Sequence, residues 1–192
     1  MTFSNKLTIG RIIAVPVFIF FIALKGTVPL TIALIVFILA GLTDLYDGYL
    51  ARKLGQVTKL GQFLDPIADK MIVTAALISL LSFRELGIPV WCIIVIISRE
   101  FIINDLRDFA VLNGISIPVS KAGKIKTVIQ MVGIITILCV VILRPLAANI
   151  KDGYLIINLI VLFIILIILF ATLGTGLDYI LRGLKLLKEK NG

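Results

Sequence analysis

The sequence predicts an all-α integral membrane protein with six transmembrane helices and both termini in the cytoplasm. Three observations carry that expectation. Of the 192 residues, 60% are hydrophobic and the mean hydropathy is +1.15, whereas a soluble domain is near half apolar. The apolar residues gather in six stretches that approach or reach the roughly 20 residues needed to cross a bilayer as a helix. The cations collect on alternate connections, the asymmetry that sets membrane orientation.

The first expected span covers residues 7–23, with Pro16 inside it as an expected kink. It has no clear small-residue cleavage site and leads into five further spans, so it reads as a span rather than a signal peptide. The second and third cover residues 29–51 and 62–81, and the fourth covers 89–110; Pro29 and Pro89 open two of them. Residues 112–123, with Gly114 and Pro118, form the longest polar connection and have room for a short interfacial element. The fifth and sixth spans cover residues 124–143 and 154–173. After Gly174-Thr175-Gly176 comes an amphipathic tail, residues 181–190. The tail either lies on the membrane surface or extends the sixth helix, and the extension is the simpler expectation. No internal repeat is present, and residues 1–192 are expected to form one domain with no room for a separate soluble one.

The loop cations orient this layout. Lys6, Arg11, Arg52, Lys53, Lys59, Arg107, Lys121, Lys124, Lys126, Arg182, Lys185, Lys188 and Lys190 fall on one side. Only Lys25, Arg84, Arg144 and Lys151 fall on the other. The richer side is the cytoplasmic one. The net charge of +8 follows this topology, which favours anionic headgroups or phosphorylated ligands over nucleic acid. The chain has no histidine, which excludes His-based acid–base chemistry, catalytic triads and His-ligated zinc. Cys92 and Cys139 both lie in apolar spans and read as buried thiols.

Against this apolar background stand Asp44, Asp47, Asp65 and Asp69. A carboxylate at the centre of a spanning helix costs about 2.5–3.5 kcal/mol on the translocon scale, roughly 10 kcal/mol for four and less near the interface. Asp44 and Asp47 are one helical turn apart, and Asp65 and Asp69 are i and i+4 on the next helix, so each pair shares a face. Two antiparallel helices joined by a short basic loop can aim both pairs at one point. Oxygen-only ligands select a hard cation, Mg²⁺ or Mn²⁺, and four carboxylates suffice for the two ions commonly used in displacement at phosphorus. Gly48 and Ala51 leave space on the same face for a ligand. The competing reading is a buried polar network that only holds two helices together.

The run D-x-x-D-G-x-x-A-R over residues 44–52, then eight residues, then G-x-x-x-D-x-x-x-D over 61–69 resembles the signature of the CDP-alcohol phosphotransferase family. Every signature position matches, and the six-span layout extends the resemblance over most of the chain. The resemblance implies that Asp44, Asp47 and Asp65 are metal ligands. It implies that Asp69 is the general base and contributes to metal binding. It further implies a nucleotide pocket around Gly48 and Ala51, and a homodimer. Arg52 fits either a pyrophosphate contact or a positive-inside anchor.

The acceptor is sought elsewhere. Arg99 lies about ten residues, near 15 Å, into the fourth span, where a guanidinium is a functional candidate. The alternatives are an ion pair with Glu100 or Asp105, or snorkelling. With Arg107, Lys121, Lys124 and Lys126 it describes a phosphate pocket, or in part a solvated cluster. The segments Ser98-Arg99-Glu100-Phe101, Gly123-Lys124-Ile125-Lys126-Thr127 and Asn5-Lys6-Leu7-Thr8-Ile9-Gly10-Arg11 resemble those of bacterial phosphatidylglycerophosphate synthases within that family. That resemblance implies CDP-diacylglycerol as donor, sn-glycerol 3-phosphate as acceptor, and the bacterial cell membrane as location. Asn5, Thr8 and Arg11 then either hold donor phosphates or serve capping and topology. Inositol phosphate and phosphatidylglycerol are the competing acceptors. A prenyltransferase needs more spans and spaces its aspartates differently, and a carboxylate-lined transporter would show repeat symmetry.

Overall fold

The computed structural model describes residues 3–54, 59–112 and 121–191. Among these every regular element is helical: α1 (Phe3–Leu24), α2 (Thr27–Leu54), α3 (Lys59–Leu80), α4 (Val90–Leu112), α5 (Lys121–Leu143) and α6 (Gly153–Asn191), with 3₁₀ turns at Arg84–Leu86 and Arg144–Asn149. Each expected span falls within one of these helices to within a residue. The apolar runs end where Gly26, Gly87 and Pro145 interrupt them, so composition and punctuation agree. The connection 113–120, with its expected interfacial element, lies outside the described residues.

Two local features concern the continuity of the helices. Helix α1 runs unbroken through Pro16. Helix α6 continues through Gly174-Thr175-Gly176 to Asn191, 39 residues in all, so the tail extends the helix. Within this passage the Thr175 hydroxyl shares its proton between the carbonyl oxygens of Ala171 and Thr172 at 2.8 and 3.0 Å, the back-bonding that hydroxyl residues make in helices.

Among the described residues, Leu7–Leu24, Gly123–Asn149 and Gly153–Leu181 are long and apolar enough to cross a membrane. Large side chains such as Phe20, Phe163 and Phe170 are more than half exposed. A water-soluble surface rarely tolerates so much contiguous apolar area; hydrocarbon does, and packing between helices then rests on close fit rather than water exclusion.

Contacts group the chain into two compact units, Met1–Glu85 with Ile134–Ile157, and Leu86–Gly133 with Asn158–Gly192. In the first, α1 packs along both α2 and α3. Its buried stripe is Thr8, Arg11, Val15, Phe18 and Ile22, the three- and four-residue steps of a helix face. Helix α2 buries Leu30, Ala33, Phe37 and Ala40, and α3 buries Ala68, Ile72, Ala76 and Leu80. The rings of Phe18 and Phe37 meet at 5.9 Å between centroids. In the second unit, α6 buries Val161, Ile165, Ile168, Thr172, Gly176 and Tyr179, an aliphatic stripe that turns polar towards its C-terminal half. Helix α5 approaches α6 at Gly133, where a Cβ would lie 2.7 Å from Ile168 Cδ1.

Candidate active site

The buried stripes of the first unit lead to the aspartates. On α2 the steps 30, 33, 37, 40 continue through 44 and 47; on α3 the steps 80, 76, 72 continue back through 69 and 65. Asp44 and Asp47 therefore occupy the register of the face that α2 buries, and Asp65 and Asp69 that of α3. The two helices are joined at this end by only four residues, 55–58. Helix α1 supplies the third wall. It runs antiparallel to α2 after the Lys25–Gly26 turn, and the Phe18–Phe37 pair sets the register. Seven residues, about 10 Å at 1.5 Å each, separate Phe18 from Arg11 and Phe37 from Asp44. Arg11 is thus level with Asp44, and Thr8 with Asp47. Arg11 is 3% exposed and Thr8 fully buried.

The backbone thus brings all four aspartate positions, with Thr8 and Arg11, to one end of the unit. An all-carboxylate set on adjacent turns of two neighbouring helices suits a hard divalent cation. The aspartate side chains, and those of Asn5, Gly48, Ala51 and Arg52, lie outside the described residues, though all belong to α1, α2 or α3. Among the described side chains no group of three or more His, Cys, Asp or Glu could hold a metal ion.

The second unit holds the basic candidates. Arg99, half-buried on α4, donates from Nη2 to Thr175 Oγ1 on α6 at 2.8 Å. Its neighbour Glu100 does not pair with it; Glu100 takes Lys126 of α5, which is buried. Arg99 therefore has no carboxylate in contact among the described residues, although the charge of Glu100 still acts on it. The local ion pair with Glu100 or Asp105 is not formed. Arg107 lies over the ring of Tyr179 at 5.8 Å, within cation–π range. Lys124 is exposed, and the side chain of Lys121 lies outside the described residues.

Arg99 Nε, Gln130 Nε2, Thr172 Oγ1 and Tyr179 Oη are buried without a hydrogen-bond partner among the described residues. Native interiors hold few such groups. Gly176 makes room for the guanidinium, since a Cβ there would sit 2.8 Å from Arg99 Nε. Thr175 and Gly176 had one sequence signal, the small polar break Gly174-Thr175-Gly176 in an apolar helix. Nothing local marked Gln130 or Thr172.

The CDP-alcohol phosphatidyltransferase family model matches residues 1–172. The chain belongs to this family. A protein of Rickettsia bellii named CDP-diacylglycerol–glycerol-3-phosphate 3-phosphatidyltransferase is 38% identical over 176 residues, 91% of each chain. One of the same name from Bacillus subtilis is 41% identical over 146 residues, 70% of this chain and 75% of that one. Another from Wigglesworthia glossinidia brevipalpis is 44% identical over 135 residues, 69% and 74% respectively. All four aspartates, Arg99 and Lys126 lie inside the match to the CDP-alcohol phosphatidyltransferase family, whereas Thr175, Gly176 and Tyr179 lie beyond it.

Substituting Gly176→Ala is expected to move the guanidinium of Arg99 rather than the helices, because the clashing atoms belong to a flexible side chain. Thermal unfolding in detergent should barely change, while binding of an anion that Arg99 receives should weaken about tenfold, one charge-assisted hydrogen bond's worth. A large fall in the unfolding midpoint would show instead that α4 and α6 shift bodily.

Proposed function

We propose that this chain transfers the phosphatidyl group of CDP-diacylglycerol to sn-glycerol 3-phosphate, giving phosphatidylglycerophosphate and CMP. The observation that carries the proposal is the 38% identity, over 91% of the chain, to a relative named for that reaction. In this reading Asp44, Asp47, Asp65 and Asp69 hold divalent cations, Mg²⁺ or Mn²⁺ and two in number. Such cations neutralise pyrophosphate charge and stabilise a leaving phosphate when bound. Asn5, Thr8, Arg11, Gly48, Ala51 and Arg52 hold the donor. The burial of Thr8 and Arg11 at the level of Asp47 and Asp44 supports their part in this.

Asp69 takes the proton from the acceptor hydroxyl. The hydroxyl oxygen forms its bond to the phosphorus that carries the diacylglycerol, and the bond from that phosphorus to the CMP oxygen breaks, its electron pair leaving with CMP. Arg99 receives the acceptor's phosphate, and Arg107, Lys121, Lys124 and Lys126 add to the cationic field. The neutral hydrogen-bond partner of Arg99, Thr175, supports its role; Lys126, already paired with Glu100, contributes least. Six helices span a bacterial cytoplasmic membrane as one domain, with both termini and the aspartate end inside, as the cation asymmetry favours, and the enzyme works as a homodimer.

The test is CMP release by purified protein in detergent, with CDP-diacylglycerol and Mg²⁺ or Mn²⁺, against a panel of acceptors. Release with glycerol 3-phosphate alone is expected. Release with inositol phosphate, phosphatidylglycerol or serine instead would keep the chemistry and overturn the acceptor. No release from folded protein would overturn the enzyme itself in favour of transport.

A further inference from the structure

At the opposite end of the first unit from the aspartates, the end of α1, the start of α2 and the two 3₁₀ turns surround a cavity of about 480 Å³, within the range of small-ligand sites. Its walls are of two kinds. Leu30, Phe83, Val141 and Ile142 form an apolar part, while Lys25, Arg144 and Tyr154 bring cations and an aromatic ring. Arg144 is held from two sides. Its Nη1 lies 3.1 Å from Glu85 Oε1, its Nη2 donates to the Glu85 carbonyl oxygen at 3.4 Å, and its guanidinium lies 5.1 Å from the Tyr154 ring centroid. Its third donor, Nε, is buried without an acceptor among the described residues. Glu85 offsets one of the two cations, and Lys25 has no carboxylate partner among the described residues, so the cavity keeps a net positive charge. Lys25 directly follows α1 with a φ of 51°, and its N–H donates to the Ile22 carbonyl oxygen at 3.3 Å, a left-handed turn of the kind that commonly ends helices.

We propose that this cavity binds a phosphate group, and that its apolar wall fits it for one carried on an anionic lipid. The site lies outside the catalytic end and does not depend on which acceptor the enzyme uses. A guanidinium held in place by Glu85, the Lys25 ammonium and the Tyr154 ring are the chemistry that recognises a phosphodiester whose charge no headgroup cation already neutralises. The aliphatic wall beside them suits the glycerol and first methylenes of an acyl chain. A phosphate without a lipid would gain nothing from Leu30, Phe83, Val141 and Ile142.

Native mass spectrometry of the full chain in detergent, with phosphatidylglycerol, phosphatidylcholine or inorganic phosphate titrated in, tests this. Phosphatidylglycerol should bind and phosphatidylcholine should not. Lys25→Gln, at an exposed turn, should weaken that binding about tenfold, and Lys25→Gln with Arg144→Gln should abolish it. If Arg144→Gln does not fold, Lys25→Gln alone carries the test. Inorganic phosphate binding with the same affinity and the same dependence on Lys25 would keep the phosphate site and remove the lipid. Equal binding to wild type and Lys25→Gln, or equal binding of both lipids, would overturn the proposal. CMP release by Lys25→Gln at the wild-type rate would separate this site from catalysis.

Discussion

Asp69→Asn is expected to lower kcat about 10²–10⁴-fold, the range that a positioned general base contributes. The substitution keeps the shape of the side chain and one oxygen, and removes only the ability to take a proton. The informative control is Asp44→Asn. Both positions lie on the buried registers of α2 and α3, so both changes remove one negative charge from the same end of the unit. If Asp69 is the base, its variant stays slow at saturating Mg²⁺ or Mn²⁺. If Asp69 acts mainly as a ligand, its variant recovers with added metal, as Asp44→Asn should in part. The KM for CDP-diacylglycerol should change more in Asp44→Asn than in Asp69→Asn, because holding the cation also holds the pyrophosphate. A metal titration of kcat in both variants, with thermal unfolding to show that each is folded, separates the two roles.

The sequence made the aspartates legible because their message is local. Two carboxylate pairs at i,i+3 and i,i+4 on consecutive apolar helices are costly and fixed in spacing, and both facts survive without knowledge of the tertiary fold. The helix ends were legible for a similar reason, since apolar length and Gly or Pro punctuation agree at nearly every boundary. The continuation of α6 through Gly174-Thr175-Gly176 agrees with the simpler of the two expectations for the tail: glycine is a weaker breaker where no water competes for the backbone. Arg99 was visible by depth and sign, but its partner was not. Thr175 is 76 positions away, and Glu100, the adjacent carboxylate, is taken by Lys126 from 26 positions away. No periodicity reports such pairings. The cavity beside Lys25 and Arg144 was equally hidden, because it depends on a turn conformation and on three chain segments meeting.

Arg99→Ala is expected to raise the KM for the phosphorylated acceptor about 10–100-fold and to leave the KM for CDP-diacylglycerol near its starting value. Hydrogen bonds to charged groups are worth about 1.5–3 kcal/mol, and each 1.4 kcal/mol is a factor of ten. The size of the effect follows from what surrounds the guanidinium. Thr175 is neutral, so its hydrogen bond orients Arg99 without cancelling the charge. Arg99→Lys should recover only part of the loss, because an ammonium cannot match the planar fork that grips a phosphate by two bonds. Lys126→Ala sets the contrast. Removing that ammonium strands Glu100 in a setting where both side chains are about a tenth exposed, and a buried charge left alone destabilises the fold. Lys126→Ala should therefore lower the unfolding midpoint, while Arg99→Ala should lower acceptor affinity with the midpoint almost unchanged. The reverse pattern, a fold that depends on Arg99 and an acceptor KM that depends only on Lys126, would move the phosphate contact from α4 to α5.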